Sequence, residues 1–211
     1  MRSVIVTGGN PPSKDLLLSY LKDEDYLIGV DKGCNSLFEY GLKPDLILGD
    51  FDSANFEVIN YYKEAGVELL RFQPEKDYSD TDLGYRKAVE LESKEILLFG
   101  ATGTRMDHML GNIGLLFKSL KDCVRLEILD DNNKMYLIDK STRIQGTTNE
   151  IISFHAVSEV VKNLNISGAK YKLEGYDMTL FEPRAICNEF IGEDINITFD
   201  SGIIMVIFSK D

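Results

Sequence analysis

Aspartate recurs in this chain wherever residue type and spacing could support chemistry. Four short segments carry it beside glycine or small polar residues: Asp31-Lys-Gly-Cys-Asn35, Gly49-Asp-Phe-Asp-Ser53, Lys76-Asp-Tyr-Ser-Asp-Thr-Asp82 and Gly100-Ala-Thr-Gly-Thr-Arg-Met-Asp-His108. The short stem of Asp keeps a carboxylate close to its own backbone turn. Carboxylates gathered in one place raise one another's pKa unless a cation sits among them. Hard oxygen donors of this kind suit Mg2+, which keeps several waters and shares phosphate oxygens. Asp50 and Asp52 reach one ion only if the backbone between them kinks, and Gly49 makes a kink there inexpensive. The chemistry to expect is metal-assisted reaction at a phosphate ester.

Each feature has a structural reading as well. Asp31, taken alone, reads as a helix N-cap, Asp82 as a first-turn helix charge and Asp45 as a solvated turn residue. His108 reads as a structural residue. Gly8-Gly9 and Gly100-Ala-Thr-Gly103 either turn backbone N–H groups toward a phosphate or are merely loops. Other phosphate and cofactor signatures are missing: there is no G-x-x-x-x-G-K-[ST], no G-x-G-x-x-G, no G-x-S-x-G and no H-E-x-x-H. Cys34, Cys123 and Cys187 are odd in number and far apart, so the expectation is free thiols in a reducing, cytoplasmic setting.

These acidic segments need a scaffold, and the apolar pattern supplies one. Strand-like runs at 4–8, 26–30, 46–48, 67–72 and 96–99 alternate with helix-like stretches near 13–21, 35–40, 54–65, 81–91 and 107–120. Continuous apolar strands alternating with helices predict a parallel sheet covered on both faces. In such a sheet, ligands bind beyond the carboxyl ends of the strands, where the four acidic segments fall. Past residue 122 the pattern becomes β-rich, with runs at 125–129, 135–138, 151–157, 163–166, 194–199 and 203–208. Asn132-Asn133, Ser167-Gly168, Glu174-Gly175 and Ser201-Gly202 read as its turns. The fold class expected is α/β plus all-β: an α/β catalytic domain over 1–122, then a small antiparallel β-sandwich over 123–211.

The balance of 35 Asp and Glu against 23 Lys and Arg leaves a net charge of −12, which argues against nucleic acid and anionic membranes as partners. The start of the chain is too short in its apolar run for a signal peptide, and the longest apolar run is too short to span a bilayer. An anionic polyphosphate entering so acidic a protein requires a divalent cation or well-placed basic groups.

The segments also resemble a known family. Asp31-Lys-Gly-Cys-Asn35 followed by Pro44-Asp-Leu-Ile-Leu-Gly-Asp-Phe-Asp-Ser53 is similar to the D-G-G-A-N and P-D-x-x-x-G-D-F-D-S pair of thiamine pyrophosphokinases. Lys76-Asp-Tyr-Ser-Asp80 resembles that family's K-D-x-T-D, and Gly100 to His108 with Gly111-Asn112 its G-A-x-G-G-R-x-D-H and following Asn. Ala185-Ile-Cys-Asn-Glu189 stands where the family carries an S-N-E-like segment. Lys32 replaces a Gly, Cys34 an Ala and Cys187 a Ser of these patterns, and the chain has no Trp, leaving Phe181 and Tyr176 to stack on a pyrimidine.

The resemblance implies an enzyme, a thiamine diphosphokinase: pyrophosphoryl transfer from ATP to the hydroxyethyl oxygen of thiamine, giving thiamine diphosphate and AMP. It also implies a homodimer with thiamine sites between subunits. Carried onto this chain, it makes Asp50, Asp52, Asp77, Asp80, Arg105 and Asp107 the catalytic set. Asp50, Asp52, Asp80 and Asp107 become Mg2+ ligands. Asp31, Asn35, Ser53, Lys76 and Arg105 become ATP or phosphate contacts, and Cys187 and Asn188 thiamine contacts. Three alternatives remain open: a diphosphokinase for another hydroxyalkyl heterocycle such as a pterin, a non-catalytic Mg-nucleotide sensor, and a metal-dependent phosphohydrolase with water as nucleophile.

Overall fold

The valine-, isoleucine- and leucine-rich runs of the first half form strands, buried except for the edge strand Glu68–Arg71, in the computed structural model, which describes residues 1–73 and 77–211. They are β1 (Arg2–Val6), β2 (Tyr26–Val30), β3 (Leu46–Gly49), β4 (Glu68–Arg71), β5 (Glu95–Phe99) and β6 (Arg125–Leu129). All pair in parallel, in the order β6-β5-β1-β2-β3-β4. Side chains alternate across a strand, so the buried strands feed two cores. Val4, Val6, Leu27, Ile47, Leu97 and Phe99 pack on one face against α1 (Lys14–Tyr20), α2 (Gly33–Glu39) and α3 (Phe56–Glu64). On the other face lie α4 (Asp80–Glu90) and α5 (Met106–Lys121). There α4 sits close enough that a Cβ on Gly84 would stand 3.0 Å from Val30 and 3.5 Å from Ile5.

Capping residues set where the helices begin. The Ser13 hydroxyl accepts from the Leu16 N–H at the start of α1, Asn55 caps α3 through the Glu57 N–H, and Ser79 caps α4 through the Asp82 N–H. Side-chain oxygens of this kind satisfy donors that the first turn leaves open.

The chain divides into two compact units, Met1–Asp131 and Asn132–Asp211. The division falls later than the boundary after residue 122 that the sequence pattern suggests. The reason is β6: read as the first strand of the β domain, it pairs in parallel with β5 from Glu95↔Arg125 to Phe99↔Leu129 and so belongs to the first unit. Its apolar run is the same in either setting, and only the pairing distinguishes them.

The second unit is all-β. β7 (Asn133–Ile138), β14 (Ile204–Ser209), β9 (Ile151–Ala156) and β12 (Ala185–Glu189) form one antiparallel sheet, in the order β12-β9-β14-β7. β11 (Leu173–Thr179), β10 (Val160–Ser167), β13 (Ile195–Thr198) and β8 (Thr142–Ile144) form another, in the order β11-β10-β13-β8. Alternate residues of both sheets, among them Ile152, Phe154, Val206, Leu164, Ile166 and Ile197, share one core. Glu174-Gly175, expected as a turn, lies inside β11. Gly175 has φ +58 and its N–H donates to the Asn165 side chain at 2.8 Å, at a register shift between β10 and β11. Among the described residues, no helix is long and apolar enough to cross a membrane.

Candidate active site

The parallel strand order reverses at β1: β2, β3 and β4 run out on one side, β5 and β6 on the other. At such a reversal the connections depart to opposite faces and leave a crevice at the carboxyl ends of the strands. A cleft of about 390 Å³ opens there, lined by the loops after β1, β2, β3 and β5 and by the first turn of α4.

Two of these loops are zipped together. Gly9 N–H donates to Gly100 O and Asn10 N–H to Thr102 O, each at 2.8 Å. A Cβ on Gly9 would stand 2.3 Å from both carbonyl oxygens, and one on Gly100 (φ +70) would stand 2.2 Å from Thr7 O. These glycines therefore permit close backbone approach, and the N–H groups of Gly9 and Asn10 are already used. Buried Asn112 donates to Ala101 O at 2.7 Å, and the Thr7 and Thr81 hydroxyls meet at 2.8 Å. The cleft floor is thus tied to α4 and α5.

Asp31 stands at the centre of the acidic group. It does not cap α2, whose N-cap is Lys32; instead its Oδ1 accepts from the Phe51 N–H at 3.2 Å. The Asp31 backbone has φ +46, and its N–H donates to Leu48 O at 3.0 Å. A Cβ on Gly49 would lie 1.8 Å from that Oδ1, so glycine is required for the carboxylate to turn in. The kink expected after Gly49 exists: Gly49 has φ +144 and Phe51 φ +61. One carboxylate oxygen from each of Asp31, Asp50 and Asp80 lies within 4.8 Å of the others, and all three residues are half-buried. Burial, and after it the Asp80 carboxylate, pushes the Asp31 carboxyl up to about 7. Hard oxygen donors crowded at that electrostatic cost fit a divalent cation, whose charge would remove it.

Of the four expected metal ligands, Asp50 and Asp80 belong to this group, and Asp31 stands in it where Asp52 and Asp107 had been expected. Asp52 lies beyond the Phe51 kink and is exposed, its N–H donating to Asp50 Oδ1 at 3.0 Å. Asp107, also exposed, forms two hydrogen bonds with Arg105, at 2.6 and 3.2 Å, and this guanidinium holds its carboxyl down to about 2. Arg105 lines the cleft as the N-cap residue of α5. Ser53 lines the cleft, whereas Asn35 accepts the Asn55 N–H at 3.0 Å and so fixes the end of the 50–55 loop. Asp77 is exposed, and Lys76 lies outside the described residues.

In the second unit, Cys187 and Asn188 sit at a register shift of β12 against β9. Cys187 is exposed with φ +52, and its N–H donates to Ser153 Oγ at 3.0 Å. Asn188 is buried with both ends of its amide engaged. Its Oδ1 accepts from the Tyr171 and Glu189 N–H groups at 2.9 Å, and its Nδ2 donates to Tyr171 O at 2.7 Å. Tyr176 is held by Glu182 and by Arg184 over its ring, while Phe181 is exposed. Sequence reasoning missed the loop-zipping role of the glycines and the engagement of Asn188. The first had a signal in the paired glycine segments, and the second had none.

A parallel α/β unit with an acidic cleft at its switch point, followed by an all-β unit, defines a class of two-unit proteins with a ligand-sized cleft at the carboxyl edge of the parallel sheet. Family models identify which one. Residues 17–128 match the thiamin pyrophosphokinase catalytic domain, and residues 137–204 match the thiamin pyrophosphokinase vitamin B1 binding domain. The thiamine pyrophosphokinase of Bacillus subtilis (strain 168) is 34% identical over 216 residues, spanning 100% of both chains. The crystal structure of a thiamine pyrophosphokinase from Bacillus subtilis covers 100% of both chains with a TM-score of 0.91. One from Geobacillus thermodenitrificans, 31% identical, covers 100% of this chain and 98% of that one with a TM-score of 0.88. The chain belongs to the thiamine pyrophosphokinase family.

Proposed function

We infer that this chain transfers the pyrophosphoryl group of ATP to the hydroxyethyl oxygen of thiamine, giving thiamine diphosphate and AMP. The observation that carries the reading is the Asp31, Asp50 and Asp80 group at the switch-point cleft of a chain that matches both family models. Asp31, Asp50 and Asp80 would hold Mg2+, which when bound offsets the charge of the triphosphate. Gly49, Phe51 and Asn35 act indirectly, by fixing where the carboxylates stand.

The thiamine hydroxyl attacks the β-phosphorus in line, the bond from that phosphorus to the α-phosphate oxygen breaks, and AMP leaves. The hydroxyl proton passes to Asp77 or Asp80 of the segment that opens α4. Arg105, at the cleft rim, meets negative charge on the transferring group, and Asp107 orients its guanidinium. Ser53, which lines the cleft, contacts the phosphates. The β unit receives thiamine. There Asn188 positions Tyr171 and β12, and the exposed Cys187 lies beside it for contact.

The same reading makes the protein a homodimer, and its free thiols and ATP dependence suit the cytoplasm. The test is direct: incubate the protein with Mg-ATP and thiamine or a pterin alcohol and measure AMP. Release with thiamine alone is expected, and release only with the pterin alcohol would overturn the substrate. Light scattering should give twice the chain mass.

A further inference from the structure

The chain carries lysine at position 32, where the D-G-G-A-N segment it resembles carries glycine. Lys32 lines the cleft, and its stem starts against the loop after β1: a Cβ on Gly8 would stand 3.2 Å from Lys32 Cβ. The fold does not require lysine at this position. Its backbone is ordinary helical (φ −59, ψ −21), it makes no side-chain capping bond, and the residue is exposed. Among the described residues, Lys32 enters no ion pair, whereas Arg105, the other long cation lining the cleft, is engaged by Asp107.

Charge gives this position a purpose. One divalent cation does not balance three carboxylates and a triphosphate together, so a further cation in the cleft wall is favourable. A flexible ammonium with three donors is the type of group that follows phosphate oxygens as a point charge. We propose that Lys32 Nζ binds the polyphosphate of the nucleotide, which makes Lys32 a substrate-binding residue of the cleft beside Arg105. The assignment rests on the Mg-nucleotide reading of the cleft and goes beyond it by naming the group that offsets charge the metal leaves.

The experiment compares wild type, Lys32→Ala and Lys32→Arg by calorimetry, with Mg2+ and α,β-methylene-ATP as one probe and adenosine as the other. Lys32→Ala should weaken the triphosphate analogue by about tenfold, in the range of a charge-assisted contact. Lys32→Arg should recover most of that loss, and adenosine affinity should stay the same. Analogue affinity of Lys32→Ala within about twofold of wild type would overturn the proposal. So would an equal loss for adenosine, because the effect would then not be on phosphate. The thiamine reading fails separately: wild type that binds the analogue yet releases no AMP with thiamine refutes pyrophosphoryl transfer and leaves the Lys32 result standing.

Discussion

At the scale of single residues, Asp31 carries the most testable electrostatics. Its carboxyl is pushed from the ordinary 3.8 up to about 7 in the folded chain, chiefly by burial and then by Asp80. Between those values the folded chain keeps a proton that the unfolded chain has lost. Stability therefore falls as pH rises through that window. In EDTA, the melting temperature of wild type should decline from pH 4 to 7 relative to Asp31→Asn, which lacks the titrating group. At pH 8 the Asn variant should melt higher than wild type while its turnover falls by about a hundredfold or more. Equal pH slopes for the two proteins would refute the assignment. Gly49→Ala tests the same carboxylate from the other side. Its Cβ would overlap Asp31 Oδ1 at 1.8 Å on a φ of +144, so a loss of about 1–3 kcal/mol in denaturant titration is expected, together with loss of Mg2+ affinity.

At the scale of elements, function depends on loops that hold one another. Gly100→Ala should part the loops after β1 and β5, because its methyl would stand 2.2 Å from Thr7 O. The KM for ATP should rise with little change in the unfolding of the β unit. Asn188→Ala should instead destabilise the β unit by about 1–3 kcal/mol, because it leaves the N–H groups of Tyr171 and Glu189 without their acceptor; urea titration followed by tyrosine fluorescence checks this. These two sites also mark what the sequence could convey. β1, β2, β3 and β5 were legible because a buried parallel strand is a continuous apolar run, and the acidic segments were legible because they follow such runs. β8, β11 and β12 were not. β11 has a single buried residue, Met178, and a glycine in mid-strand, and β12 breaks its alternation at Cys187. The site was partly legible for the same kind of reason. Asp31, Asp50 and Asp80 each lie in an acidic segment at a strand end, but spacing pairs Asp50 with Asp52, and Asp80 became a metal ligand only through the family resemblance. The entry of Asp31 into the group depends on a long-range turn at Gly49 and Phe51 that no local pattern records.

At the scale of the whole molecule, the net charge of −12 acts on both proposed substrates, with opposite sign. Mg-ATP is an anion and thiamine a cation, so the field of the protein repels one and attracts the other. Salt shortens the reach of that field, from a Debye length of about 30 Å at 0.01 M to about 8 Å at 0.15 M. Raising ionic strength across this range should therefore raise kcat/KM for Mg-ATP and lower kcat/KM for thiamine. Steady-state kinetics at fixed free Mg2+, with a large neutral osmolyte as control, separates screening from loss of metal. A fall in both parameters would mean that contacts inside the cleft, Lys32 and Arg105 among them, outweigh the global field for the nucleotide. The Lys32→Ala variant should then show a smaller salt-induced fall for Mg-ATP than wild type, because one of the two local cations is gone while Arg105 remains.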